Sequence, residues 1–128
     1  MSPRREPLLL VVDDDSTVRR VLKVSFERAG FRVLMAEHGV DALNQMETAG
    51  EPVALVLTDV VMPEMGGVAL AERALAQVPP PKVILMSGFN HTAERLVVAG
   101  QTPKFVQKPF KIDELVRLVR SELGLTSL

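Results

Sequence analysis

Short apolar segments without alternation constrain the fold of this chain more than any other feature. Each is four to six residues long and is followed by a stretch with helical spacing of its apolar residues. The segments cover 8–12, 31–36, 53–58, 82–86 and 104–107. Largely apolar strands are typical of a parallel sheet that helices cover on both faces. The pattern therefore predicts an α/β fold built from five βα units.

The intervening stretches predict the helices that cover this sheet. The first helix has an apolar stripe of Val18, Val21, Leu22, Phe26 and Ala29, and the second has Val40, Leu43 and Met46. A third is predicted over 68–78, where three prolines stop it, a weaker one over 92–99, and the last over 112–123. We expect one domain over residues 8–124, with flexible tails at 1–7 and 125–128.

Parallel connections are right-handed, which favours a flavodoxin-like, doubly wound five-stranded sheet in the order 2-1-3-4-5. In that order the first and third strands are neighbours at the switch point, where open α/β sheets bind ligands.

Composition excludes several classes of function. The chain has no cysteine, which rules out disulfides, thiolate metal sites and cysteine nucleophiles. A formal net charge of −1 gives no electrostatic reason to expect nucleic acid or an anionic membrane as a partner. The longest apolar run is five residues, far short of a membrane span. We therefore expect a cytoplasmic protein.

A polar residue suited to binding a cation or a phosphoryl group directly follows four of the five apolar segments. They are Asp13 and Asp14 after the first, Asp59 after the third, Ser87 after the fourth and Lys108 after the fifth. Three neighbouring carboxylates do not all stay ionised unless a cation shares their site. Oxygen ligands without histidine or cysteine favour a hard cation such as Mg²⁺. A carboxylate can also attack a phosphoryl group and form an aspartyl phosphate, so the edge predicts a site for a divalent cation and a phosphoryl group.

Each of these residues also has a simpler interpretation. Aspartate is favoured at helix starts, so Asp13 or Asp14 could be a cap, although Asp15 and Ser16 could serve equally well. Ser87 taken alone fits an ordinary turn, and Lys108 taken alone fits a solvated surface lysine.

Taken together, four motifs resemble the receiver domain of two-component response regulators. They are Leu-Leu-Val-Val-Asp-Asp-Asp, Leu-Thr-Asp-Val-Val-Met-Pro-Glu-Met-Gly-Gly, Ile-Leu-Met-Ser-Gly and Phe-Val-Gln-Lys-Pro-Phe. The resemblance covers the chain from Leu8 to Leu123. It implies that Asp59 is the phosphoacceptor, which takes its phosphoryl group from a phosphohistidine.

The resemblance also implies roles for the other site residues. Asp13, Asp14, Asp59 and the backbone carbonyl of Val61 match the Mg²⁺ site, while Ser87, Phe105 and Lys108 match the switch hydroxyl, the switch aromatic and the lysine that binds phosphoryl oxygens. The bond between Lys108 and Pro109 matches one that is cis in the family, a geometry that an X–Pro bond adopts at small cost. Phe105 lacks the hydroxyl of a tyrosine at that position.

The partners implied are a sensor histidine kinase or a histidine phosphotransfer protein. Val24 leaves the apolar stripe of the first helix and predicts a docking face for that partner. Leu118 likewise leaves the apolar stripe of the last helix and predicts a homodimer or an output partner. Scattered surface apolar residues are the alternative interpretation of both positions.

Two other functions stay open: a phosphorylation-independent scaffold receiver and a flavodoxin-like binding module. A scaffold receiver would usually have lost an acid or the lysine, and all are present here. A flavodoxin-like module would need hydroxyl-rich loops that bind phosphate and aromatic residues that flank the ligand, yet the chain has no Trp or Tyr. A free-standing regulator and a receiver belonging to a hybrid sensor kinase both stay open, and the Met-Ser-Gly-Phe and Phe-Val-Gln-Lys-Pro-Phe segments resemble those of hybrid-kinase receivers.

One further hypothesis concerns the lifetime of the phosphorylated state. By the resemblance, Val61 and Phe89 flank the approach of water to the phosphoryl group. Neither side chain can orient a water molecule by hydrogen bonding, and Phe89 is bulky. The pair predicts slow hydrolysis.

Overall fold

The computed structural model describes residues 6–63, 65–88, 98 and 100–125. The elements in chain order are β1 (Leu8–Val12), α1 (Ser16–Arg28), β2 (Arg32–Ala36), α2 (Gly39–Thr48), β3 (Leu55–Asp59), α3 (Gly67–Leu75), β4 (Lys82–Ser87), β5 (Lys104–Gln107) and α4 (Ile112–Glu122). Five parallel strands form one sheet in the order β2-β1-β3-β4-β5. The predicted fold and strand order are confirmed. The helix predicted over 92–99 lies outside the described residues except at Val98, which forms an isolated bridge with Gln101.

The sheet has a core on each face, which explains why its strands do not alternate. Leu9 and Val11 of β1 pack on the side of α1 and α4, together with Phe26 and Val119. The residues between them point to the opposite side, where Leu10 packs with elements of α2 and α3. Successive strand residues face opposite sides of a sheet, so a strand buried on both faces must be apolar at every position.

Two residues predicted to be buried lie instead at the margin of their helices. Val21 is 46% exposed and Val40 is 43% exposed. In α1 the buried residues are Leu22 and Phe26, and a residue one position away is turned by about 100° around the helix axis. The spacing of apolar residues therefore identified the helix correctly but made its buried face too wide.

The third helix is shorter than predicted. It ends at Leu75 instead of extending to Val78, whose side chain is 95% exposed. The residue before a proline is disfavoured in the helical region, and Val78 precedes Pro79 through a cis peptide bond.

Residues just outside both predicted limits of the domain form hydrogen bonds with residues inside it. The Arg32 side chain donates to the Glu6 carbonyl at 2.8 and 3.0 Å, and its amide donates to the Pro7 carbonyl. At the other end, Leu125 donates its amide to the Arg120 carbonyl at 2.8 Å. The limits at residues 8 and 124 stay predictions. Among the described residues, no helix is long and apolar enough to cross a membrane.

Candidate functional site

The central strands bring the predicted acids together. Val12 of β1 pairs with Thr58 of β3, so Asp13 and Asp59, one residue further on each strand, lie side by side. Carboxylate oxygens of Asp13, Asp14 and Asp59 all lie within 4.8 Å of one another. Asp13 and Asp59 are buried, whereas Asp14 is exposed. The cluster therefore opens to solvent on the side of Asp14.

Asp13 is the most firmly held of the three acids. Its carboxylate accepts the Asp15 amide at 2.9 Å and the Lys108 ammonium at 2.6 Å. Its amide donates to the Ala36 carbonyl at 3.2 Å, and its carbonyl accepts a guanidinium proton of Arg19 at 2.7 Å. A buried carboxylate is tolerated when it is paired and hydrogen-bonded, and Asp13 meets both conditions.

Helix capping does not explain the acidic pair. The side chain of Asp15 caps α1 by accepting the amides of Thr17 at 2.9 Å and Val18 at 3.4 Å. The interpretation of Asp13 and Asp14 as caps of α1 is therefore wrong, although Asp13 does hold the connection to the helix by accepting the Asp15 amide at 2.9 Å.

Lys108 reaches into the acidic cluster from the end of β5. Its amide donates to the Ser87 carbonyl at 2.8 Å, and its ammonium lies 3.3 Å from an Asp59 oxygen as well as 2.6 Å from Asp13. Burial alone would lower the pKa of Lys108, but the hydrogen bond and charge of Asp13, followed by those of Asp59, raise it above its usual value. Lys108 is therefore a charged partner of the site and not a solvated surface lysine. The peptide bond between Lys108 and Pro109 is cis, as the resemblance implied.

The surroundings of Asp59 disfavour its ionisation. Burial raises the pKa of Asp59 most, and the negative charge of Asp13 adds to the rise. The positive charge of Lys108 and a backbone hydrogen bond from Val61 oppose it without cancelling it. The cluster brings three carboxyl groups together with one ammonium group. A divalent cation would balance this excess of acidic groups, and the oxygen donors are those that Mg²⁺ prefers.

Ser87 lies on β4, the strand next to that of Asp59, and Phe105 lies on β5, one strand further out. Asp59 pairs with Met86, and Phe105 pairs with Leu85. Leu85 and Ser87 are two residues apart on β4 and share a face, so the switch pair predicted from the resemblance lies on one side of the sheet. Ser87 is fully buried, while Phe105 is partly buried against the core beside α3.

Val61 lies in the loop after β3, and its side chain is 53% exposed. Its amide forms the hydrogen bond that acts on the pKa of Asp59. Ligation through its carbonyl stays a prediction.

One supporting residue was missed by the sequence analysis. Arg19 holds the Asp13 carbonyl and lies 3.8 Å from Glu37. Arg19 is four residues after Asp15 and therefore lies on the same face of α1 as this residue. The spacing can be seen in the sequence, but nothing there distinguishes Arg19 from the adjacent Arg20.

Leu118, the residue of α4 predicted to contact a second copy or an output partner, packs against the core instead. Leu118 is partly buried and packs against the core that contains Leu115 and Val119. Leu115 and Leu118 are three residues apart and so share a helix face. The prediction that Leu118 leaves the buried face is therefore wrong, whereas Val24 on α1 is 43% exposed, as expected.

The fold and site define a doubly wound α/β domain with a clustered acid–lysine site at the carboxyl edge. A family model for the response regulator receiver domain matches residues 9–120. CpdR, a receiver protein of Brucella abortus (strain 2308), is 36% identical over 90% of this chain and 95% of its own length. The sensor kinase CckA of the same organism is 35% identical over 90% of this chain, but the match covers 12% of CckA.

Solved structures agree with the sequence relatives. The receiver domain of a Francisella response regulator superposes with a TM-score of 0.80 at 28% identity, covering 93% of this chain and 98% of that one. This chain belongs to the receiver-domain family of two-component response regulators. Its relatives include a protein matched over nearly its whole length and a kinase of which the match is a small part.

Proposed function

We propose that this chain accepts a phosphoryl group on Asp59 from a phosphohistidine, in a reaction that depends on Mg²⁺. The observation that carries the proposal is the cluster of the buried Asp13 and Asp59 with the exposed Asp14, in which the Lys108 ammonium contacts both buried members. A pair formed by Lys108 with Asp13 or Asp59 alone would not account for three carboxylates within 4.8 Å of one another. The roles assigned to the individual residues below are part of the proposal.

Phosphoryl transfer needs in-line positioning and neutralisation of charge more than covalent assistance from the protein. An Asp59 oxygen attacks phosphorus, the bond from phosphorus to the imidazole nitrogen breaks, and the histidine leaves with that electron pair. Lys108 is within 3.3 Å of Asp59 and can neutralise the phosphoryl oxygens that arrive there. Mg²⁺, held by Asp13, Asp14, Asp59 and the Val61 carbonyl, would supply the remaining positive charge.

The phosphorylated carboxylate carries additional acceptor oxygens, and the Ser87 hydroxyl is the donor proposed to reach them. Movement of Ser87 would leave room on its side of the sheet for Phe105, which already packs on the same face. A local change of charge would then bias two packing arrangements of one aromatic ring. Because Phe105 has no hydroxyl, the change exposes or buries only apolar surface.

A groove beside the site fits the docking of the phosphohistidine partner. It has a volume of about 560 Å³ and lies between α1 and the segment after β5, with Val18, Val21 and Phe110 among its lining residues and Lys108 at one side. Near this groove, α1 also carries the exposed Arg20 and the half-buried Lys23. An acidic, partly apolar helix would complement this surface. We propose a sensor histidine kinase or a histidine phosphotransfer protein in the cytoplasm as that partner.

In this proposal the chain is a signalling domain and not an enzyme with a separate substrate, since it catalyses only its own phosphorylation and dephosphorylation. Incubation with acetyl phosphate, followed by intact mass measurement, tests it. Wild type should gain one phosphoryl group with Mg²⁺ and none with EDTA. Glu72→Gln, which removes an exposed acid on α3, should behave as wild type.

Two variants decide the assignment. Asp59→Asn should not be phosphorylated, and Asp14→Ala should be phosphorylated poorly. Phosphorylation of Asp59→Asn to the extent of wild type would contradict the proposal. A folded wild type that accepts no phosphoryl group from any donor would favour the phosphorylation-independent scaffold instead.

A further inference from the structure

The start of α2 makes an unusually close contact with the loop that follows the acceptor. A Cβ atom on Gly39 would lie 2.6 Å from the Met65 Cγ, 2.7 Å from its Cβ and 2.8 Å from its Sδ. These separations are shorter than carbon atoms reach in ordinary contact. Gly39 is buried, and it is the absence of a side chain there that admits Met65.

The loop that carries Met65 is held close to Asp59 at both of its ends. At the first end, the Val60 amide, next to Asp59, donates to the Met86 carbonyl at 2.8 Å. At the other end, the Gly67 amide donates to the Val60 carbonyl at 2.9 Å, and a Cβ on Gly67 would collide with the Asp59 carbonyl oxygen. Met65 supplies an attachment of a different kind, because it fixes the loop to a helix distant in the sequence.

The α2 side of this contact is the more firmly held. The Nδ1 atom of His38 caps α2 by accepting the Asp41 amide at 3.2 Å, and the Asp41 carboxylate accepts the Glu37 amide at 3.1 Å. The preceding Ala36 carbonyl accepts the amide of Asp13. Met65 lies in a turn in which its amide donates to the Pro63 carbonyl at 2.8 Å. A group added at Gly39 would therefore displace the loop before it displaced the helix.

We propose that Gly39 and Met65 are positioning residues for Asp59. Their contact fixes the loop so that the Val61 amide stays on the Asp59 carboxylate and that carboxylate keeps its place beside Lys108. The inference rests on the proposed function, because it names residues that set the rate of phosphorylation at the same site. Neither residue touches the reacting atoms.

A pair of compensating substitutions tests this role. Gly39→Ala should slow phosphorylation by acetyl phosphate at least about tenfold, since small misplacements of reacting groups have effects of that size. Met65→Gly removes all three close atoms and should restore Gly39→Ala to the rate of Met65→Gly alone. Met65→Ala should restore less, because the contact of 2.7 Å with the Met65 Cβ remains.

The control variant is Glu47→Gly, which weakens α2 at an exposed position in its last turn. It should lower stability and leave the rate unchanged, so a loss that merely follows stability would be recognised. The Val61 amide resonance provides a readout that needs no phosphorylation. It should shift in Gly39→Ala and return toward the Met65→Gly position in the double variant.

A Gly39→Ala variant with the rate and the Val61 resonance of wild type would overturn the inference. So would an equal slowing by Gly39→Ala in the wild-type and Met65→Gly backgrounds. If Gly39→Ala does not fold, Met65→Gly alone decides: it should be slower than wild type at equal folded fraction, and an unchanged rate overturns the inference. If wild type accepts no phosphoryl group, the proposed function fails, and the Val61 resonances still decide the positioning role.

Discussion

Neutralising Asp59 should make the protein more stable, although the residue is buried and hydrogen-bonded. Asp59 lies beside two other carboxylates and one ammonium group. Its pKa is raised, mainly by burial and further by Asp13, so ionisation of Asp59 is less favourable in the folded protein than in the unfolded chain. The folded state bears this cost whenever Asp59 is charged, and Asp59→Asn removes it.

The separations within the site set the size of this effect. At an effective dielectric constant of about 20, the attraction between Lys108 and Asp59 at 3.3 Å is about 5 kcal/mol. The Asp13 carboxylate, within 4.8 Å, repels Asp59 by about 3.5 kcal/mol on the same basis, and the exposed Asp14 adds a smaller repulsion because solvent screens it. Attraction and repulsion therefore nearly cancel, and burial of Asp59, the largest cause of its raised pKa, decides the direction of the effect. Because solvent reaches the cluster on the side of Asp14, we expect Asp59→Asn to raise the free energy of unfolding by only about 1 kcal/mol.

Urea denaturation followed by circular dichroism measures this difference, because the chain has no Trp or Tyr for fluorescence. The stabilisation should be largest in EDTA at neutral pH and smaller with Mg²⁺, which would neutralise the acids of wild type. It should also decrease as the pH falls through the raised pKa of Asp59 and vanish below the usual pKa of the carboxyl, about 3.9, where the group is neutral in both the folded and the unfolded state. Glu72→Gln should change little. A variant less stable than wild type in EDTA would refute the electrostatic reasoning.

Three further predictions concern the site and the surface beside it. Lys108→Met should lower the free energy of unfolding by about 2–4 kcal/mol, because it leaves the Asp13 carboxylate buried without its ammonium partner. Since the pKa of Lys108 is raised from 10.5, its contribution to stability should be present in full below about pH 10.5 and be lost as the pH rises through the pKa of the folded state. Urea titrations at two pH values check both statements, with the exposed Lys104→Met as control. Val21→Glu and Val24→Glu, on exposed positions of α1, should each slow transfer from the phosphorylated partner and leave the reaction with acetyl phosphate unchanged; equal transfer rates in the variants would contradict the docking surface, and Val78→Glu, 95% exposed, is the matched control. Wild type should lose its phosphoryl group slowly, and Val61→Asn/Phe89→Glu should lose it faster after removal of the donor; Phe89 lies outside the described residues, and an equal or slower decay of the double variant would refute the shielding hypothesis.

Strand order and strand positions were predictable because burial on both faces leaves a strand no polar position. Uninterrupted apolar runs such as 8–12 mark such strands directly. The limits of helices were less predictable, since apolar spacing gives the period of a helix but not the width of its buried face. Val21 and Leu118 were assigned to the wrong surroundings for this reason.

The composition of the site was predictable because each strand ends at the same edge of the sheet. Residues at strand ends, such as Asp59 and Lys108, could therefore be placed together without coordinates. The pairing of Lys108 with Asp13 at a shorter distance than with Asp59 depends on side-chain geometry that the sequence does not encode locally. The contact of Gly39 with Met65 depends on how a helix and a remote loop pack, and no periodicity signals it.

Transfer from a phosphorylated histidine domain to this chain tests the central claim most directly. A histidine kinase or phosphotransfer domain labelled on its histidine is mixed with wild type or Asp59→Asn in Mg²⁺, and the labelled residue is located by peptide mapping. The account predicts that label leaves the histidine, appears on Asp59 of wild type and does not appear on Asp59→Asn. Label on another residue of wild type, or undiminished transfer to Asp59→Asn, would contradict it.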